Sequence, residues 1–304
     1  MIDKSVTRDA FMTELTSRRF LIETGVAGVY GRGAGFLVIV EGIERRIDAA
    51  CRSDHPERVF FPPVIPREIL RRTGYMENFP DLCGSVHAFC GTPANHPALV
   101  ETVNAENDWT PHLSMTDLVL APAGCYPVYP TQGGILPVGG KIFDLTASCY
   151  RHEPSKDPAR LQAFQLRENV RLGLPAEVMA WRMLWMERVP ALFDDLGFEF
   201  RLDTASDPFF GRGGRMMKAA QKEQELKFEL LVPIWPDHEP TAVASFNYHG
   251  SHFGHIFGIE TPDGAEAHTA CVGFGLERIA LALLKRHGFD LDAWPVAVRS
   301  SLWS

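Results

Sequence analysis

The sequence predicts an α+β fold, a largely antiparallel sheet flanked by helices, and three observations carry that expectation. Strand-like runs at 118–121, 142–150, 164–170, 228–232 and 242–246 recur without a regular strand–helix–strand alternation. Two stretches, 175–196 and 273–287, read as strong helices. Gly25–Gly35 holds five glycines, and its segment Gly31-Arg32-Gly33-Ala34-Gly35 could pass for a dinucleotide-binding fingerprint, yet no parallel unit follows, so the stretch reads as a glycine-rich turn.

Taken in order, residues 5–18 place Phe11, Met12 and Leu15 on one side of a short amphipathic helix. Phe36–Val40 is strand-like, and Glu41–Cys51 is helical in character. Val59–Pro66 (VFFPPVIP) reads as a strand broken by prolines. Proline donates nothing to a ladder, so this strand belongs at a sheet edge or a subunit boundary. A helix follows at Arg67–Arg72. Pro175 opens the long helix, with Val178, Trp181, Trp185 and Val189 turned inward and Gly197 closing it. The last helix is entered through Gly273 and Gly275 and ends in cations.

The chain has 304 residues and a net charge of −8, which argues against broad nucleic-acid binding. The N-terminus lacks the apolar core of a signal peptide, and no apolar run is long enough to span a bilayer, so a cytoplasmic protein is expected. The six cysteines include no CxxC pair and read as buried thiols or metal ligands.

The chemistry centres on Cys149–Glu168. On a hairpin, Arg151, Glu153, Arg160, Phe164 and Glu168 would share one floor, because alternate residues of a strand face the same way. Cations, a flat aromatic and carboxylates suit a nucleotide. Taken alone, the stretch reads first as an ordinary solvated hairpin. The second signal is Gly273-Phe274-Gly275-Leu276-Glu277-Arg278, whose glycines allow close backbone approach and whose Arg278 sits in a first helical turn, a place that favours anions.

Together these stretches resemble motifs 2 and 3 of the class II aminoacyl-tRNA synthetases, and Val59–Pro66 resembles the motif 1 strand of that family's dimer interface. The likeness covers roughly residues 58–290. Within the class, RLQAFQLRE (160–168), KFELLVP (227–233) and LAPAGCYPV (120–128) are similar to seryl-tRNA synthetase elements. Cys125, Glu168 and Cys271 replace the usual serine-binding arrangement. By resemblance to the zinc-dependent, atypical seryl enzymes, they imply a Zn2+ site able to hold a substrate amine. About sixty residues precede motif 1, with no heptad-bearing arms. That combination is similar to the amino acid:[carrier protein] ligases, truncated homologues that load small amino acids onto a phosphopantetheine thiol.

The resemblance assigns Arg151 to the α-phosphate and Glu153 to the adenine edge or ribose-phosphate side. It places Arg160 and Leu161 along the ATP site, with Phe164 stacked on adenine. Lys227 would contact ATP, Glu229 would serve Mg2+, and Arg278 would hold the γ-phosphate. Ala242, Val243, Ala244 and Ser245 would line the amino acid pocket beside Glu168. The implied partners are glycine or alanine, ATP, a phosphopantetheinylated carrier protein and a second copy of the chain, with neither tRNA nor membrane. The runner-up is a zinc-dependent seryl-type tRNA synthetase, and a third reading is a non-catalytic paralogue.

Two rival metal clusters stand in the sequence. Cys83, His87, Cys90 and His96 have the better local spacing, while His249, His252 and His255 read first as polar loop residues. The expected division is a short N-terminal α/β segment, 1–57, and a catalytic unit, 58–304, with an insert near 208–226. Between Arg212 and Lys227 there are five cations and two acids. Arg212, Arg215 and Lys218 there would suit an acidic carrier protein, although a solvated surface helix fits the insert nearly as well.

Overall fold

The computed structural model describes residues 7–211, 214–235 and 238–303. The central feature is a seven-stranded sheet. Its strands, in spatial order, are Arg201–Thr204, Lys227–Val232, Thr241–Gly250, His268–Gly275, Ala163–Gly173, Lys141–Tyr150 and Glu57–Arg58. Every pairing is antiparallel except the last, where Glu57–Arg58 runs parallel to Lys141–Tyr150. The expected α+β class and antiparallel sheet therefore hold. A smaller three-stranded sheet joins Val64–Pro66, Ser114–Leu120 and Ser85–Ala88.

One face of the large sheet is closed by helices Ala34–Cys51, Pro175–Asp194 and Leu276–His287. Alternation drives this packing. Along His268–Gly275, Ala270, Val272 and Phe274 join that core, while Cys271 points to the opposite face. Trp185 is fully buried and meets Phe274 edge-on at 5.9 Å between ring centroids. The expected helix over 175–196 is present with Pro175 in its first turn, and Gly197 takes a positive φ of 74° just beyond it. Among the described residues no helix is long and apolar enough to cross a membrane.

Several local expectations need correction. Phe36–Val40 is the first part of helix Ala34–Cys51, not a strand. The buried residues Phe36, Ile39, Val40, Ile43 and Ile47 follow helical spacing over three turns, which overrides the β-branched composition of the first turn. The glycine-rich turn is a hairpin of Leu21–Val26 and Val29–Arg32, with only 27–28 forming the turn. The last helix is entered through a glycine as expected, Gly275 being its N-cap, but Gly273 and Gly275 both belong to the preceding strand and the helix begins only at Leu276. Within Val59–Pro66 the strand proper is Val64–Pro66, which lies at the edge of the small sheet as its prolines require, while Val59 N donates to Asp144 O at 3.0 Å beside the large sheet.

Candidate active site

The sheet register assembles the site. Glu168 faces Gly273, Gly273 faces Ser245, and Ser245 faces Glu229, so one row crosses four strands. At the usual strand spacing Glu168 and Glu229 stand roughly 14 Å apart, ends of a single floor. The next row runs from Cys271 to Asn247 to Lys227. Side chains of these rows line a cavity of about 270 Å³, together with residues of the 151–162 loop, the 122–126 loop and Arg278.

The cavity brings together most of the sequence-predicted residues. Arg151, Glu153, Leu161, Phe164, Lys227, Glu229, Ala242, Val243, Ala244, Ser245, Arg278, Cys125, Glu168 and Cys271 all line it. Arg160 does not line it. Its side chain is 56% exposed and pairs with Glu153 at 3.0 Å. Arg151, Glu153 and Arg160 also lie on the loop that joins the two strands, not on a strand face, so a shared hairpin floor holds only for Phe164 and Glu168. Arg215 is exposed and Lys218 half-buried on helix Gly214–Glu223, whereas Arg212 lies outside the described residues.

At one end, ligand atoms of Cys125, Glu168 and Cys271 all lie within 4.8 Å of one another, and all three residues are buried. Cys125 comes from a loop whose backbone N–H donates to Glu168 Oε2 at 2.7 Å. Burial, then the charge of Cys271, push the Glu168 carboxyl up to about 8. A hydrogen bond to Cys271 raises the Cys125 thiol, with burial adding to it, and the same bond depresses Cys271. Two soft thiols and a carboxylate converging in a dry wall form a donor set of the kind zinc takes. The other close group of the described residues, Asp48, Cys51 and Asp144, already holds the Arg167 guanidinium between its carboxylates. Cys83, His87, Cys90 and His96 do not form such a group.

At the other end the cations gather. Phe164 lies under the Arg151 guanidinium, 5.5 Å from the ring centroid, and Arg151 Nε donates to Pro122 O at 3.0 Å. Arg278 donates to Ala159 O at 2.9 Å and to Ala242 O at 3.0 Å. Burial, then the neighbouring Arg151 and Arg160, hold Arg278 below the usual guanidinium range. Like charges held this close suit a bound polyanion. Lys227 Nζ bridges Asp207 Oδ1 at 2.6 Å and Glu229 Oε1 at 3.0 Å. Burial opposes its charge, and the two carboxylates outweigh burial and raise it.

Sequence reading missed several members of the wall. His249 reads as a polar loop residue in sequence, but it sits on a sheet strand with Nε2 3.7 Å from Cys271 Sγ and Nδ1 3.0 Å from Thr269 Oγ1. Asn247 Nδ2 lies 3.3 Å from Cys271 Sγ. Their period-two spacing along Thr241–Gly250 was the available signal, masked by the recurrence of histidine every third residue. Asp207, in a loop, carried no signal.

No protein-family model matches the chain. An amino acid–[acyl-carrier-protein] ligase of Bradyrhizobium diazoefficiens is 49% identical over 280 residues, covering 91% of this chain and 86% of its own. The chain belongs to the amino acid–[acyl-carrier-protein] ligase family. A second family member from the same organism is 46% identical over 92% of this chain and 84% of its own. The type-2 serine–tRNA ligase of Methanococcus aeolicus is 28% identical, covering 81% of this chain and 50% of that one.

Among solved structures, the seryl-tRNA synthetase of M. kandleri, in complex with a tRNA, superposes with a TM-score of 0.82 at 22% identity. It covers 97% of this chain, which spans 60% of that longer one. The Pyrococcus horikoshii seryl-tRNA synthetase, solved with ATP, has a TM-score of 0.67 at 15% identity and covers 94% of this chain and 59% of its own. The fold of this ligase-family chain is thus that of the class II aminoacyl-tRNA synthetases.

Proposed function

We propose that the protein activates an amino acid with ATP and ligates it to an acyl-carrier protein. In finer detail, glycine or alanine is activated as an aminoacyl-adenylate and passed to the phosphopantetheine thiol. The single observation that supports this best is the shared floor. One cavity holds a metal-type triad at Glu168 and a cationic cluster at Arg278 and Arg151, in reach of one small molecule joined to a nucleotide.

Each side chain has a role in this reading. Arg151 neutralises the α-phosphate while Phe164 stacks on adenine beside Leu161. Arg278, pinned by two carbonyls, meets the γ-phosphate. Arg160 reaches in only through Glu153, from the rim. Lys227 contacts ATP, and Glu229 would offer a carboxylate to Mg2+, which would supply charge neutralisation at the phosphates. Cys125, Glu168 and Cys271 would hold Zn2+, which supplies a Lewis-acid grip on the substrate amine. Ala242, Val243, Ala244 and Ser245 bound the pocket next to that grip and keep it small.

The amino acid carboxylate attacks the α-phosphorus, pyrophosphate leaves, and the carrier thiol then takes the aminoacyl group as AMP departs. Positioning and charge neutralisation supply the acceleration. The basic helix Gly214–Glu223, with Arg215 and Lys218, is the proposed carrier-protein contact, and the Val64–Pro66 edge is the proposed place of a homodimer. Amino acid-dependent ATP–pyrophosphate exchange, followed by label transfer to holo-carrier protein, tests the reading. Transfer to tRNA instead would select the seryl-tRNA synthetase alternative.

A further inference from the structure

Among the described residues none before residue 57 lines the cavity, yet this part of the chain touches the back of the nucleotide grip at several points. Gln162 N donates to Gly28 O at 2.8 Å, and Gln162 Nε2 donates to Ala27 O at 2.8 Å. Arg8 pairs with Asp157 at 2.9 Å. Arg32 Nη2 donates to Ala163 O at 3.2 Å and also pairs with Glu277. Glu277 is buried, and its two carboxylate oxygens accept from Gln165 N at 2.9 and 3.0 Å. It stands next to Arg278 in the chain, and Arg278 in turn donates to Ala159 O in the same loop.

These contacts form a closed circuit. The 151–162 loop and the start of the last helix meet through Ala159 and Arg278, and the turn and end of the N-terminal hairpin hold both from behind. Gly28 marks how close the approach is. Its φ is +79°, and a Cβ there would meet Gln162 Cγ at 3.1 Å and Gln162 N at 3.2 Å. The metal-type triad lies outside the circuit, and none of these hydrogen bonds involves its residues.

From this we infer that the N-terminal hairpin is a positioning element for ATP, with Arg32 its principal residue. Arg32 orients Glu277, and through it the strand at Gln165 and the helix start that carries Arg278. The inference rests on the ATP reading of the cationic end. It adds that nucleotide and amino acid binding depend unequally on residues outside the cavity.

The test is steady-state pyrophosphate exchange on the full chain with Arg32→Met, varying ATP and amino acid separately. KM for ATP is expected to rise roughly tenfold, with KM for the amino acid within about twofold of wild type. Arg32→Lys, which keeps a cation opposite Glu277, is expected to recover part of the loss. An unchanged KM for ATP overturns the inference, and so does a parallel rise in both constants, the mark of a merely structural defect. If Arg32→Met does not fold, Gly28→Ala, which pushes on Gln162 without removing a charge, is read by the same criteria. Absence of exchange in the wild-type protein would instead refute the ATP reading itself.

Discussion

The backbone N–H of Cys125 donates to Glu168 Oε2 at 2.7 Å, so the loop bearing one thiol is locked to the strand bearing the carboxylate. The lock requires glycine beside it: a Cβ at Gly124 would come within 2.5 Å of Glu168 Oε2 and 2.8 Å of Ala147 Cβ. Cys271, on the strand paired with that of Glu168, completes the triad.

Cys271→Ala removes a thiol from a buried three-ligand set. Zinc measured by metal analysis of the purified protein is expected to fall to background, and amino acid-dependent exchange with it. Full zinc retention would contradict the assignment and turn attention to Cys83, His87, Cys90 and His96.

Glu168 sets a pH dependence in the metal-free protein. Its carboxyl moves from the ordinary value of 4.5 to about 8 on folding. A raised folded value means that the protonated form is favoured by folding. The associated stability is fully present below the unfolded value and is lost as pH rises through the folded one. Chelator-treated wild type is therefore expected to lose on the order of a few kcal/mol across that window relative to Glu168→Gln. Parallel melting profiles for the two proteins would sink the idea. Zinc affinity is expected to climb over the same range, because the metal takes the deprotonated ligands.

Arg278→Lys tests the fork geometry. The guanidinium satisfies Ala159 O and Ala242 O while facing the cavity, and a single ammonium cannot reproduce that spread. kcat/KM for ATP is expected to fall about a hundredfold, the scale of losing a preorganised charge contact. A change within threefold or so, measured by exchange, would remove Arg278 from the phosphate grip.

Reversing charge on the insert, with Arg215→Glu and Lys218→Glu together, places the effect on the acceptor step. KM for an acidic holo-carrier protein is expected to rise on the order of tenfold, and to do so more at low salt than at high salt. A salt-independent change would point to altered folding of the helix instead.

Trp185→Ala opens the core between the long helix and the sheet. Trp185 is fully buried against Phe274, and the loss is expected to be about 3–5 kcal/mol by chemical denaturation. A loss below about 1 kcal/mol would mean that the helix does not seal this face.

The central strand shows why part of the fold was illegible. His268–Gly275 is buried along nearly its whole length, so it shows no alternation of apolar and polar residues, and the cap at Gly275 is legible while the strand leading into it is not. In helix Ala34–Cys51 the run Phe36–Val40 is short and rich in β-branched residues, so by itself it has the look of a strand, and only the continuation to Ile47 reveals the helical period. The long helix, by contrast, was plain from its proline, its spaced tryptophans and Gly197, all of which are local signals.

The sequence by itself determined the α+β class, the main helices, and the residue types of the grip, because period and turn chemistry are local properties. Resemblance supplied Cys125, Glu168 and Cys271 as a set. Only the tertiary structure decided that they converge, that Arg160 stays at the rim, that His249 and Asn247 face Cys271, and that the N-terminal hairpin backs the nucleotide loop. Those outcomes follow from strand register. A one-residue slip would turn Glu168 or Gly273 to the helical face, and register is set by pairing between segments a hundred residues apart, which no local pattern encodes.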